Sequence, residues 1–262
     1  MKKILYLGLV LLSFSSNAQK TELGFQAGLC NYWGDLAPSL SYKETHPMGG
    51  LFARLNLNHT WAIRAELNHF TISGKDANFD FNKNRNLSFQ TQINEAALIF
   101  EFNYLKYGPY VLHENFTSYL FLGVGGFSFN PQAYLNGAWY NLSDYKTENV
   151  AYKKLGVSVP FGIGVKYMFN KRFACEAQLG FRKTYTDYLD DVSTVYPDIA
   201  SRFSDGGQIT ATLTDRSIEL YGTPQFKDGY KRGDPGHKDW FMNLSFGFSM
   251  RLHTKSKCAR FF

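Results

Sequence analysis

The chain has 262 residues, a formal net charge of +6, and 17% aromatic residues, with 24 Phe, 17 Tyr and 23 Gly. A basic balance can mark nucleic-acid binding, but no basic run with interleaved base-stacking aromatics occurs, so that class is excluded. Three cysteines (Cys30, Cys175, Cys258) cannot all pair internally and fit no zinc or redox spacing, so they are read as unpaired.

Residues 1–18 have the order of a secretory signal: Lys2 and Lys3, an apolar run from Ile4 to Leu12, then small residues ending at Ala18. That run is shorter than the roughly 20 residues a membrane-spanning helix needs. No cysteine stands at the expected cut, which argues against a lipoprotein anchor. Residues 19–262 then form a single domain.

Period-two alternation organises the remainder. Candidate strands run over residues 23–31, 49–57, 61–72 and 93–104. The fifth, 117–130, switches its apolar face near Gly125 and Gly126, which predicts a bulge. In the sixth, 157–169, Val157, Val159, Phe161, Ile163, Val165, Tyr167 and Phe169 line one face. The seventh, 173–182, alternates Phe173, Cys175, Ala177, Leu179 and Phe181 with polar or small residues. The eighth, 240–252, keeps strict alternation over a length that suits a strand tilted across a bilayer, about 9–11 residues, better than a soluble strand.

The connections alternate in length. Residues 58–60, 105–116 and 170–172 are short turns; 32–48, 73–92, 131–156 and 185–239 are long loops. Together these features predict an all-β, eight-stranded antiparallel transmembrane β-barrel with short periplasmic turns and long extracellular loops, in a Gram-negative outer membrane. A soluble sandwich explains neither the loop asymmetry nor the aromatic residues near both ends of the apolar faces.

Strand parity then assigns the lumen. It receives Glu22, Glu66, Glu95, Glu101 and Glu176 against Arg54, Arg64, Lys166, Arg182 and Arg251, with Gln26, Asn56, Asn68, Asn103 and Gln178 between them. Buried charge must be paired, so a salt-bridge network filling the interior is expected. Eight strands leave room only for side chains or one small ligand.

Catalytic signals are sparse. The histidines are His46, His59, His69, His113, His237 and His253, and only His69 has a hydroxyl two positions on, Thr71. No GxSxG, HExxH or phosphate-loop pattern occurs. The expectation is no enzyme, no cofactor and no metal; Asp190–Asp191 lacks the alternating ligands and glycine turn of a calcium loop. Asp187, Tyr188, Asp190 and Asp191 are read as a loop-base signature. In this reading Tyr185 and Tyr188 sit at the membrane interface, and Arg182 and Lys183 neutralise the acids.

Five stretches carry a family resemblance: ELGFQAGLCNYWGDL, WAIRAELNHFTISGKD, RNLSFQTQINEAALIFEFNY, FLGVGGFSFNPQA and GFRKTYTDYLDDVSTVYPD. Their ordered combination resembles the PorG-like outer-membrane barrels of the type IX secretion system. The resemblance implies a non-enzymatic part of the secretion and gliding-motility machinery, associated with the periplasmic ring of the lipoprotein PorK and its partner PorN. It carries over no catalytic residue. The basic tail 253–262, with Lys255, Lys257 and Arg260, is expected to contact a periplasmic partner together with the 105–116 turn. The other expected partners are outer-membrane lipids, with no nucleic acid and no small-molecule substrate. The alternative reading is a cell-surface binding or adhesion barrel acting through its long loops.

Overall fold

In lipid, an unpaired backbone N–H or C=O has no water to turn to, so alternating strands of this length must close on one another. The computed structural model describes residues 21–107 and 115–252 and shows that closure. The strands are β1 (Thr21–Trp33), β2 (His46–Asn56), β3 (Trp61–Lys75), β4 (Ser88–Asn103), β5 (Phe116–Leu135), β6 (Ala138–Asn141), β7 (Leu155–Met168), β8 (Phe173–Thr184) and β9 (Trp240–Arg251). Each stave pairs antiparallel with its neighbours, β4 meets β5, and β1 meets both β2 and β9. The short β6 only extends the tip of β5 as a hairpin, so the closed barrel has eight staves. The expected signal at 1–18, the tail with Lys255, Lys257 and Arg260, and His113 and Cys258 lie outside the described residues.

Register sets the shape. The ladder leaves Thr21 and passes Leu55, Ile63, Phe100, Leu122, Phe161, Phe181 and Met242. It returns to β1 at Asn31, ten residues along the strand. Eight strands with that stagger tilt by about 40°, and one circuit climbs roughly 25 Å at about 3.3 Å per residue. That climb matches the roughly 25 Å apolar band of a membrane barrel.

The outer wall fits the same dimension. Leu23, Phe25, Leu29, Leu98, Leu120, Ile163, Leu244 and Phe246 all point outward and are exposed. This is far more contiguous apolar surface than water tolerates. Trp61, Tyr104, Phe116 and Tyr167 flank the band at the turn end, and Trp33 and Tyr185 at the loop end. Phe246, 64% exposed, lies at mid-height. Phe246→Arg is expected to cost about 2–4 kcal/mol of folding stability in vesicles, read from the shift in denaturant midpoint.

The interior has two zones, and this corrects the expected bulge. The β4–β5 ladder runs without interruption from Gln90↔Gln132 to Asn103↔Tyr119. Odd residues of β5 face inward throughout: Tyr119 and Phe121 below the glycines, Phe127 and Phe129 above. The chain does not change face; the lumen changes character. Toward the loop end it becomes apolar, where Phe70, Ile72, Phe89, Ile93, Phe127 and Phe129 merge with Leu36, Leu87, Leu189, Val192 and Leu213 of the loops. The strands therefore run further than alternation suggested, β4 starting at Ser88 and β5 ending at Leu135.

The loop end is a folded cap. It contains the one-turn helices α1 (Leu142–Tyr145) and α3 (Ile218–Tyr221), and α2 (Ile199–Thr214), which breaks at Gly207 with φ +69°. At the turn end Tyr107 folds under the lumen against Met168 and Ala174.

Candidate functional site

All ten charged residues assigned to the lumen are buried there, and one continuous network joins them. Arg54 meets Glu22 at 3.1 Å, Glu101 at 2.9 Å, and Glu176. Arg64 meets Glu66 at 2.8 Å, Glu101 at 3.0 Å and Glu176 at 2.9 Å. Lys166 pairs with Glu101, Arg182 with Glu95 at 3.0 Å, and Arg251 with Glu22 at 2.6 Å. Amides extend the lattice: Gln26 donates to Asn68 (2.7 Å), Gln178 to Gln26 (3.0 Å) and Arg64 to Gln178 (2.8 Å). Aromatic faces cover what carboxylates do not reach, with the Lys166 Nζ 4.1 Å from the Tyr119 ring centroid and the Arg182 guanidinium 4.6 Å from that of Phe70. The five acids and five bases cancel, which lets them share a water-poor interior.

The loop-base residues sit at the junction of barrel and cap, Asp187, Asp190 and Asp191 buried and Tyr188 half-buried, with partners other than those expected. Arg182 is committed to the lumen, and Lys183 lies over the Trp240 ring. Asp190 instead accepts from the Tyr32 hydroxyl at 2.7 Å and from the Val192 amide at 2.9 Å. Asp191, in left-handed backbone (φ +64°), accepts from the Tyr152 hydroxyl at 2.5 Å and from Thr147. Asp187 accepts from the Ser193 hydroxyl at 2.6 Å. Tyr188 is not an interfacial aromatic: it stacks on Tyr152 at 4.4 Å and packs on the core, whereas Tyr185 is exposed. The reason is the cap, which covers this stretch, while its partners come from β1 (Tyr32), from the 147–152 loop and from the stretch itself.

Asp239, immediately before β9, completes the cluster. The Tyr32 hydroxyl lies 2.5 Å from its Oδ1 as well as 2.7 Å from Asp190, and its Oδ2 accepts from the Leu189 amide at 3.0 Å. One hydroxyl carries one proton and cannot donate to two carboxylates, so one of the two carboxyls must be protonated to satisfy both contacts. Burial and mutual repulsion push Asp190 well above the ordinary carboxyl range, and burial pushes Asp239 up to about 8. Burial also raises Asp187 and Asp191, each to about 6. Gly34 is required beside this cluster, since a Cβ there would meet the Tyr32 hydroxyl at 1.9 Å. The NYWGDL and TDYLDDVS stretches thus meet at one place.

The cap's other anchors escaped sequence reasoning. Arg232 donates to Glu148 (2.9 Å), to the Asp191 carbonyl (2.6 Å) and to the Thr214 carbonyl (3.3 Å). Arg85 grips Asp76 with two nitrogens at 2.8 and 2.7 Å, and Glu148 accepts from the Ser193 and Thr194 amides, each at 2.9 Å. These are single charges in separate loops, and no spacing relates them. Asp239 offers the only local hint, as an acid abutting an apolar strand.

Two surface features complete the inventory. His69 stands on the outer wall with Nδ1 2.8 Å from Asn94 Oδ1. The next hydroxyl on that rung, Ser128, is one strand beyond Asn94, so about two strand spacings, roughly 10 Å, separate it from the imidazole. On the cap, a groove of about 710 Å³ is lined by Asp35, Phe81, Asn84, Phe226, Tyr230 and Lys231, among others. Among the described residues, no three His, Cys, Asp or Glu side chains are grouped to hold a metal ion.

The family profile described as "Domain of unknown function (DUF6089)" matches residues 1–203. No curated protein matches the chain. Similar solved structures include the OprF N-terminal β-barrel domain of Pseudomonas aeruginosa, with 11% identity over 87% of this chain and 96% of that one and a TM-score of 0.37. The attachment invasion locus protein Ail of Yersinia pestis is 10% identical over 88% and 96%, TM-score 0.42. OprG of Pseudomonas aeruginosa is 10% identical over 89% and 96%, TM-score 0.42.

Proposed function

We infer the role of this chain, which belongs to the DUF6089 family, from its filled lumen: a non-enzymatic outer-membrane barrel that anchors a periplasmic assembly instead of passing solutes. The observation that carries this reading is the charge network. Arg54, Arg64 and Lys166, with exposures of 0–1%, occupy the path a solute would need. Among the described residues, His69 on the outer wall is tied to Asn94. The Ser73 hydroxyl, 2.7 Å from His46 Nε2 at the loop end, gives its proton to Glu44 and so is not activated by the imidazole. That leaves the rims and the lipid-facing surface as places for function. In the finer form of the reading, the barrel belongs to the type IX secretion and gliding machinery, its turn end facing the ring of PorK and PorN. Support for this comes from the sequence resemblance, whose motifs here build the joint between barrel and cap.

Site-specific photo-crosslinkers in living cells test it. Probes replacing Lys106 or Lys171 at the turn end are expected to capture a periplasmic lipoprotein ring component. Capture only from Phe81 or Tyr230 on the cap, by an extracellular ligand, would overturn it. That result would support the second reading, surface binding, which the cap groove and its exposed Phe81 and Tyr230 favour.

A further inference from the structure

The lipid-facing wall is not evenly filled. Over most of its circumference large side chains such as Leu29, Phe246 and Ile163 project from the mid-band. Across β2–β5 small ones come between the large: Leu51 and Leu67 still project, but positions around them are small. Ala53 and Ala65 are paired, and two outward rungs higher Gly49 pairs with His69. Between these rungs lies Ala96 paired with Gly126. At Gly126 an added Cβ would have nothing within 4 Å. The result is two depressions of about 780 and 690 Å³, one above and one below the projecting Leu51–Leu67 pair, which join past that pair at Ala96 into one trough down the wall. From the Ala53 rung to the Gly49 rung it runs four residues of strand, about 13 Å.

Its upper end is polar. The rung Gly49↔His69↔Asn94↔Ser128 presents an imidazole, an amide and a hydroxyl side by side on the outside of the barrel. By the tilt of the ladder, these groups sit at the upper edge of the apolar band. The His69–Asn94 hydrogen bond fixes the orientation of both side chains. No lysine or arginine lines either depression. A phosphate headgroup would want cationic partners there, whereas a saccharide, with hydroxyls that both donate and accept, matches a neutral set of mixed donors and acceptors.

We propose that this trough is a binding site for a glycolipid, one acyl chain lying in the groove between Leu51, Leu67 and Ala96 and the sugar on the His69–Asn94–Ser128 rung. Position determines the class of occupant: the groove opens onto the band that acyl chains already cover, and its polar rung lies at headgroup depth. The small residues Gly49, Ala53, Ala65, Ala96 and Gly126 let a chain approach the backbone closely, and the flanks of Leu51 and Leu67 add dispersion contacts along it.

Native mass spectrometry of the protein released from bilayer discs tests this. The discs contain equal parts phosphatidylcholine, phosphatidylglycerol and digalactosyl diacylglycerol. The glycolipid is expected to be retained roughly tenfold over either phospholipid. Gly126→Trp, which fills open space without disturbing the wall, should abolish retention. Asn94→Ala and His69→Ala should remove the preference for the sugar while leaving acyl binding. Heat-modifiable gel migration confirms that each variant remains a folded barrel. Equal retention of the three lipids, preference for a phospholipid, or retention unchanged by Gly126→Trp would each overturn the proposal. So would a co-purifying protein that Gly126→Trp displaces, which would make the trough a lateral protein contact.

Discussion

Arg54→Met is expected to destabilise the barrel by about 3–5 kcal/mol, because it leaves carboxylates in the lumen without the cation they share. Arg54 is fully buried and bridges Glu22, Glu101 and Glu176, which come from three other staves. Without it, Glu22 depends on Arg251, while Glu101 and Glu176 crowd Arg64 and Lys166. Net lumen charge moves from zero to minus one in a place water hardly reaches. Denaturant unfolding in vesicles gives the loss directly. Arg54→Lys should fall between the two, since an ammonium keeps the charge but not the planar fork. Combining Arg54→Met with Glu101→Gln should recover part of the loss by restoring neutrality. A change below about 1 kcal/mol for Arg54→Met would show that the lumen is wet and that its pairs are screened like surface ones.

Raising the pH should loosen the cap, and the Asp190–Tyr32–Asp239 cluster should be responsible. The sign follows from linkage. A carboxyl whose folded-state pKa is raised holds its proton more tightly in the closed cap than in the opened one. Its stabilising contribution is complete below the ordinary value of 3.8 and is lost as pH rises, for Asp239 up to about 8. Asp187 and Asp191 contribute in the same direction over the lower part of that window, up to about 6. Other charges face the cluster: Asp35 and Glu148 oppose ionisation, while Lys238 near Asp187 and Arg232 near Asp191 favour it. Each net proton released should weaken closure by about 1.4 kcal/mol per pH unit. Hydrogen exchange at the Leu189 and Val192 amides, corrected for intrinsic rates, should show protection falling between pH 5 and pH 8. Asp239→Asn keeps a group that can accept from Tyr32 and removes the proton from the account. It should flatten most of that dependence, leaving the smaller contribution of Asp187 and Asp191. A wild-type profile already flat across this range would show that the two carboxyls share no proton.

Strand alternation made the barrel legible because a wall between lipid and a charged lumen imposes opposite chemistry on successive residues. Trp240–Arg251 shows this, as do the ten charges that parity sends inward. The same rule failed where its premise did. Around Phe127 and Phe129 the lumen itself is apolar, so alternation looked like a change of face although the register is unbroken. The acidic stretch after β8 was visible as an unusual composition, but its partners were not. Tyr32 reaches it from the end of β1 and Tyr152 and Arg232 from other loops, and only the folded cap brings them together.

By itself, the sequence determined a strand count, an inside and an outside, and a balanced set of buried charges. Those follow from local periodicity and from the cost of an unpaired charge, and both act residue by residue. Tertiary structure alone decided which acid meets which base, that a cap closes the loop end, and that one tyrosine joins two carboxyls. It also decided that small residues from four strands line up as a groove in the wall. Each of these depends on stagger around a closed ladder and on contacts between distant loops, and no local pattern along one chain encodes where such neighbours will stand.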